Sequence, residues 1–169
     1  MKSIHPGNVS KMDDDYPTCA ETYVTLRAYH DSADPTFVSS ALGLEPTKEQ
    51  RAGESYERRG VPCTYRLSGW FLSSKAKVQS YDAAKHLDWL LQQLQPHQEI
   101  LKALRSQGWR MDIACLWDSH SGHGGPTLSA NLLQRLAALG VELWFDIYFH
   151  GAYEGIQRTK EANAIQPDA

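Results

Sequence analysis

His120-Ser121-Gly122-His123 is the first place in the sequence where ligand-type side chains crowd together. Two imidazoles supply half of a tetrahedral metal site, and only Asp118 stands near enough to add to them. Gly122, Gly124 and Gly125 make the segment a flexible polar loop, which holds ligands poorly. No metal is expected. The same glycines lack the Lys-Ser/Thr of a phosphate-binding loop and the spacing of a dinucleotide fingerprint. No Gly-x-Ser-x-Gly elbow presents a nucleophile. Cys115 falls on a face expected to be buried, where a thiol behaves as a small hydrophobe. No catalytic residue and no cofactor are expected, and the reading leans away from an enzyme.

The set with more chemistry in it is Thr47, Arg51, Trp70 and Asp146, with Asp112 as a further member. Asp146 lies in an aromatic-flanked strand, on the face opposite Phe145 and Ile147. A carboxylate under a covered sheet face needs a partner, and Arg51 is the candidate for a bidentate pair. Three outcomes are open. The pair anchors the irregular 44–63 segment to the sheet, the same groups line a ligand pocket, or Asp146 is simply exposed. Trp144 and Tyr148, with His150, form a second set on that strand. Trp and Tyr bury large area while keeping a polar handle, which suits a partner-binding surface and equally a second core layer under a loop.

These side chains need a sheet to hold them. Arg110–Asp118 puts Met111, Ile113, Cys115 and Trp117 on one face; Val141–His150 puts Val141, Leu143, Phe145, Ile147 and Phe149 together. Such period-2 alternation predicts a sheet with one buried and one partly wet face. Thr22–His30 reads as the first strand, Thr64–Ser73 as another with a bulge at Gly69, and Ser55–Arg58 as a short one. Asp34 caps a helix that begins at Pro35 and ends at Gly43. Ser80–Gln95 carries Ala83, Ala84, Leu87, Leu90, Leu91 and Leu94 at helical period, and Pro96 interrupts it before Ile100, Leu101 and Leu104. Ser129 caps a third leucine-striped helix with Leu132, Leu133, Leu136 and Leu139, where Leu128 and Leu133 stand at staple positions.

The fold class expected is therefore α+β: a single, mainly antiparallel sheet of about five strands with helices on one face. Pro35-Thr36-Phe37 leading to Ala41-Leu42-Gly43-Leu44-Glu45 is echoed by Pro126-Thr127-Leu128 leading to Ala138-Leu139-Gly140-Val141-Glu142. The echo is either a diverged β-α-β duplication giving a ferredoxin-like sheet or the recurrence of strong caps at short helices.

The 169 residues suit one domain, over 21–151, between a flexible arm (1–20) and a flexible tail (152–169). Seventeen basic against 20 acidic residues give a net charge of −3, and the basic cluster at 48–59 is interleaved with Glu49, Glu54 and Glu57. A protein that neutralises phosphates shows a basic face, so nucleic acid is not expected as a partner. Three cysteines without a C-x-x-C pair fit a reducing compartment. With no signal-type segment and no long apolar run, the reading is cytoplasmic, with no membrane partner. Nothing in the residues specifies an oligomeric state.

In order and spacing, Ala41-Leu42-Gly43-Leu44-Glu45-Pro46-Thr47, Arg51-Ala52-Gly53, Gly69-Trp70, the helix around Leu87–Leu94 with Pro96, Trp117, and Leu143-Trp144-Phe145-Asp146-Ile147-Tyr148 resemble a bacterial family known as domain of unknown function 4279. The resemblance spans roughly 22–150. It implies a compact α+β domain and transfers no catalytic residue. The function expected is non-enzymatic protein interaction, of immunity or regulatory type. The alternative is a small-molecule-binding protein or weak enzyme with a pocket around Arg51, Trp70 and Asp146.

Overall fold

The computed structural model describes residues 14–149. Its elements in chain order are β1 (Cys19–His30), α1 (Thr36–Leu42), β2 (Lys48–Gln50), β3 (Ser55–Arg58), β4 (Val61–Thr64), β5 (Ser68–Ser73), α2 (Ala83–Leu94), a 3₁₀ turn (Gln95–His97), α3 (Gln98–Ser106), β6 (Arg110–Ser119), α4 (Ala130–Leu139) and β7 (Glu142–Phe149). The first strand is longer than Thr22–His30, and residues 64–73 divide between two strands of different sheets.

Alternation decides the architecture. Thr22, Val24, Leu26 and Ala28 of β1 are buried, while Tyr23, Thr25, Arg27 and Tyr29 are partly exposed. β1 pairs antiparallel with β5 on one side and β6 on the other, so that Leu26 stands between Leu72 and Ile113. Val24 opposes Cys115, Ala28 opposes Trp70, and Thr22 opposes Trp117. All these face the leucines of α2 and α3, among which Leu87, Leu90, Leu91, Leu94, Leu101 and Leu104 are buried. α1 covers the same side, since Ser39 hydrogen-bonds to the ring nitrogen of the buried Trp70. The helices thus share one face, as alternation predicts.

The five-stranded sheet runs β2-β5-β1-β6-β7. It is mixed rather than purely antiparallel, because β7 runs parallel to β6. The cause is α4: capped by Ser129 and ended by Gly140 at φ 64°, it carries the chain back along the sheet before β7 begins. β1-α1-β2 and β6-α4-β7 are both strand–helix–strand units with parallel strands, which gives the sequence echo a structural counterpart. β5 is inserted into the first unit only, so the split arrangement typical of ferredoxin-like sheets is met by one unit of the two.

β3 and β4 form a separate hairpin closed by Arg59 and Gly60, both at positive φ (53° and 77°), as a two-residue hairpin loop demands. Pairing is continuous through Gly69, so no bulge sits there; the register shift is at Cys19/Glu21. Gly69 is needed for another reason. A Cβ on it would lie 2.7 Å from the Phe71 ring, which folds over the bare backbone. The Asp34 carboxylate accepts from the Thr36 amide at 2.9 Å at the start of α1, and Pro35 between them already has helical φ and ψ (−64° and −23°).

Of the N-terminal arm, residues 1–13 lie outside those described. Tyr16, however, packs edge-on to Trp117 (centroids 5.3 Å apart) and donates to the Gly125 carbonyl at 2.8 Å. That contact and the start of β1 at Cys19 join residues 16–20 to the sheet. His150 and all that follows, including the expected tail 152–169, lie outside the described residues. No described helix is long and apolar enough to cross a membrane.

Leu26 stands at the centre of this core with no exposed surface. Leu26→Ala is expected to lower the unfolding free energy by about 2–5 kcal/mol in urea titration, since both flanking strands pack on that side chain.

Candidate functional site

The face of the sheet away from the helices carries the polar half of each alternating strand. Its centre is Arg27 on β1, whose Nε donates to Asp112 Oδ1 at 2.7 Å and whose Nη2 donates to Oδ2 at 2.6 Å. This is a bidentate pair across the β1–β6 junction, with the two side chains only 25% and 29% exposed. The Asp112 carboxylate, foremost among the groups around it, holds the guanidinium above its ordinary pKa. Arg27 also lies 4.9 Å from the centre of the Trp144 ring and 5.9 Å from that of Tyr29. One cation therefore ties β1, β6 and β7 together. Lys75 repeats the arrangement nearby, bonded to Glu21 at 2.7 Å and set 4.7 Å over Tyr23.

Arg51 does not meet Asp146. Asp146 is on β7, one edge strand of the sheet, and Arg51 directly follows β2, the other. Three strands intervene, which at about 4.8 Å per strand puts the two well out of reach. Arg51 instead binds Asp34 through Nε (3.3 Å) and Nη2 (3.2 Å), with Glu49 and Glu54 at 3.7 and 3.8 Å. The anchoring of the 44–63 segment survives with a different partner, the cap of α1. The Thr36 amide, followed by Arg51, holds the Asp34 carboxyl down to about 2. Trp70 is wholly buried and donates to Ser39 Oγ at 2.8 Å. Thr47 donates to the Phe71 carbonyl (2.9 Å) and accepts from the Ser73 amide (3.0 Å), pinning β2 to β5. Thr47, Arg51 and Trp70 are thus joints of the fold, and with Asp146 they enclose no pocket.

The second set fares differently. Trp144, Asp146 and Tyr148 share the helix-free face of β7, and Trp144 and Tyr148 are 40% and 41% exposed. The Tyr148 hydroxyl donates to Asp146 Oδ2 at 3.2 Å. His150 is outside the described residues. Arg27 went unnoticed in the sequence, yet the signal was present: it lies between Leu26 and Ala28, so alternation alone places it on the face of Asp112.

Groups that mimic catalytic ones prove structural. Ser74 Oγ lies 2.7 Å from His86 Nδ1, and His86 Nε2 lies 2.9 Å from the Ser80 carbonyl. The carbonyl fixes the proton on Nε2, so the hydroxyl donates to Nδ1. Ser74 has no exposed surface and also accepts from the Val24 amide, so no substrate reaches it. Burial pushes the Cys19 and Cys115 thiols up to about 11, against their reactivity. No metal-type cluster of three or more ligands occurs among the described residues. Two adjoining clefts of about 370 and 380 Å³ open beside Asp15 and Tyr81, and neither is lined by Thr47, Arg51, Trp70 or Asp146.

A family model described as a domain of unknown function, DUF4279, matches residues 20–150. No curated protein and no solved structure matches the chain.

Two measurements check the buried chemistry. A thiol reagent should label Cys63, the half-exposed cysteine on β4, in the native protein, and all three cysteines only after unfolding. Fast native labelling of Cys115 would contradict its burial. Burial also holds the His86 imidazole below its usual 6.5. The unfolded chain then binds the extra proton more readily, so stability present above about pH 6.5 is lost as pH falls toward the folded-state pKa. His86→Gln should flatten that loss in denaturant titrations between pH 7 and 5, by no more than about 1.4 kcal/mol per pH unit.

Proposed function

We propose that this chain, which belongs to the DUF4279 family through residues 20–150, is a non-enzymatic domain that binds another protein through the helix-free face of its sheet. The observation that carries this reading is the helix-free face of the five-stranded sheet, where Trp144 and Tyr29 flank the fixed Arg27, Tyr23 lies under Lys75, and Tyr148 stands farther along β7. Trp, Tyr and Arg are the residue types that dominate binding energy at protein interfaces. They cost little entropy when they are already held, as Arg27 is by Asp112. A regulatory or immunity-type role suits a small acidic domain with a preformed surface. The small-molecule reading asked Arg51 and Trp70 to converge with Asp146, which lies on the opposite edge strand.

The test is capture with two baits of equal stability, the native chain and Trp144→Ala/Tyr148→Ala. The native bait should retain one protein in stoichiometric amount from its host's extract, and the double variant should lose at least about tenfold of it, the effect of removing hot-spot aromatics. Equal recovery by both baits would place binding elsewhere, and no recovery by either would end the reading.

A further inference from the structure

Four of the large apolar side chains left exposed belong to one strand. Trp144 and Tyr148 stand on the helix-free face of β7, and Ile147 (67%) and Phe149 (42%) on the helix side. Leu143 and Phe145, nearer the start of the strand on that same side, pack against the core. Leu133, expected in the α4 stripe, is also exposed at 47%, while Leu132, Leu136 and Leu139 are buried. α4 is the helix that crosses from β6 to β7, so the apolar excess is concentrated at one border of the molecule.

That border is a sheet edge with no neighbouring strand among the described residues. β7 pairs with β6 on one side only, and its outer row of amides and carbonyls has no strand beside it among the described residues. Natural edges are kept short or interrupted by Lys and Pro. The opposite edge obeys this: β2 is three residues long and reads Lys-Glu-Gln. β7 does not. It runs eight residues, Glu-Leu-Trp-Phe-Asp-Ile-Tyr-Phe, without lysine or proline. A body lying on one face of the sheet would cover Trp144 and Tyr148 or Ile147 and Phe149, never both pairs. Only a strand that continues the sheet meets both faces at once.

We infer that this strand is β7 of a second copy, paired antiparallel about a two-fold axis. The strand's own charges fit such a pairing. Centred on Phe145, it sets Asp146 opposite Trp144 and Glu142 opposite Tyr148, while Leu143 meets Ile147. No carboxylate faces another. Centring on Trp144 or Asp146 would oppose acid to acid, which cross-strand pairing disfavours. The axis stands perpendicular to the sheet, so both sets of helices lie on the same side. The two helix-free faces then form one continuous surface over a doubled sheet. The inference shares Trp144 and Tyr148 with the proposed binding surface but concerns the edge of the sheet, which Ile147 probes without touching the helix-free face.

Sedimentation velocity on the full chain, from about 1 to 100 µM, tests it. The expected result is a species of twice the 19.0 kDa chain mass. Ile147→Lys should return it to single mass, while Phe37→Lys, a change at an exposed apolar side chain of α1, should leave it doubled. Tyr148→Glu and Tyr148→Lys read the register: glutamate opposite Glu142 should weaken association about tenfold, and lysine should preserve it. A native chain of single mass throughout overturns the inference. If β7 amides are then protected from hydrogen exchange, the occupant of the edge is the chain's own segment 150–169. Equal association of the two Tyr148 variants would also overturn it. The Ile147→Lys variant leaves the helix-free face intact, so partner capture through that face succeeds or fails independently.

Discussion

The pairing of β1 with β6 is the constraint on which everything else rests. It sets Leu26 opposite Ile113 on one side of the sheet and Arg27 opposite Asp112 on the other. A slip of one residue would turn every side chain to the wrong face, exposing the core half and burying a guanidinium. The bidentate ion pair marks the register from the wet side, and the leucine helices enforce it from the dry side. Two independent penalties therefore guard one alignment. Trp144 joins the same arrangement by stacking on Arg27, so the outermost strand is oriented by the central one.

The alternating strands were legible in the sequence because period 2 reports burial directly, and β6 and β7 fell close to where alternation puts them. Helix caps were legible for a similar local reason: Asp34, Ser129, Gly43 and Gly140 act within a few residues of themselves. The start of α2 was not placed as well: Asp82 caps it and it begins at Ala83, where the sequence suggested Ser80. The parallel direction of β7 and the order of the strands were not legible, since neither leaves a local pattern. The Arg51–Asp146 pairing failed on that account. Both residues were sound candidates for an ion pair, yet the sheet order puts them on opposite edges. Arg27 and Asp112, each on the polar side of an alternating strand, formed the pair that chemistry asked for.

Around β2 the chain is held by small polar joints rather than by core. Trp70 reaches Ser39, Ser39 reaches Glu49 at 3.3 Å, and Arg51 bridges to Asp34 at the start of α1. Phe71 closes over Gly69 on the other face. These contacts account for an irregular segment whose sequence shows little periodicity. They fix it by hydrogen bonds from several directions, where a periodic element would use one apolar stripe.

The placement of β1 at the middle of the sheet has a consequence for synthesis. Leu26 must wait for Leu72 and then for Ile113 to leave the ribosome before either of its edges is closed. From the synthesis of β1 until β6 emerges, the nascent chain therefore carries an open, oily strand. Its closure depends on contacts distant in sequence, which makes folding slow relative to a helical bundle of equal length. A chaperone that binds apolar extended segments would meet this domain at β1.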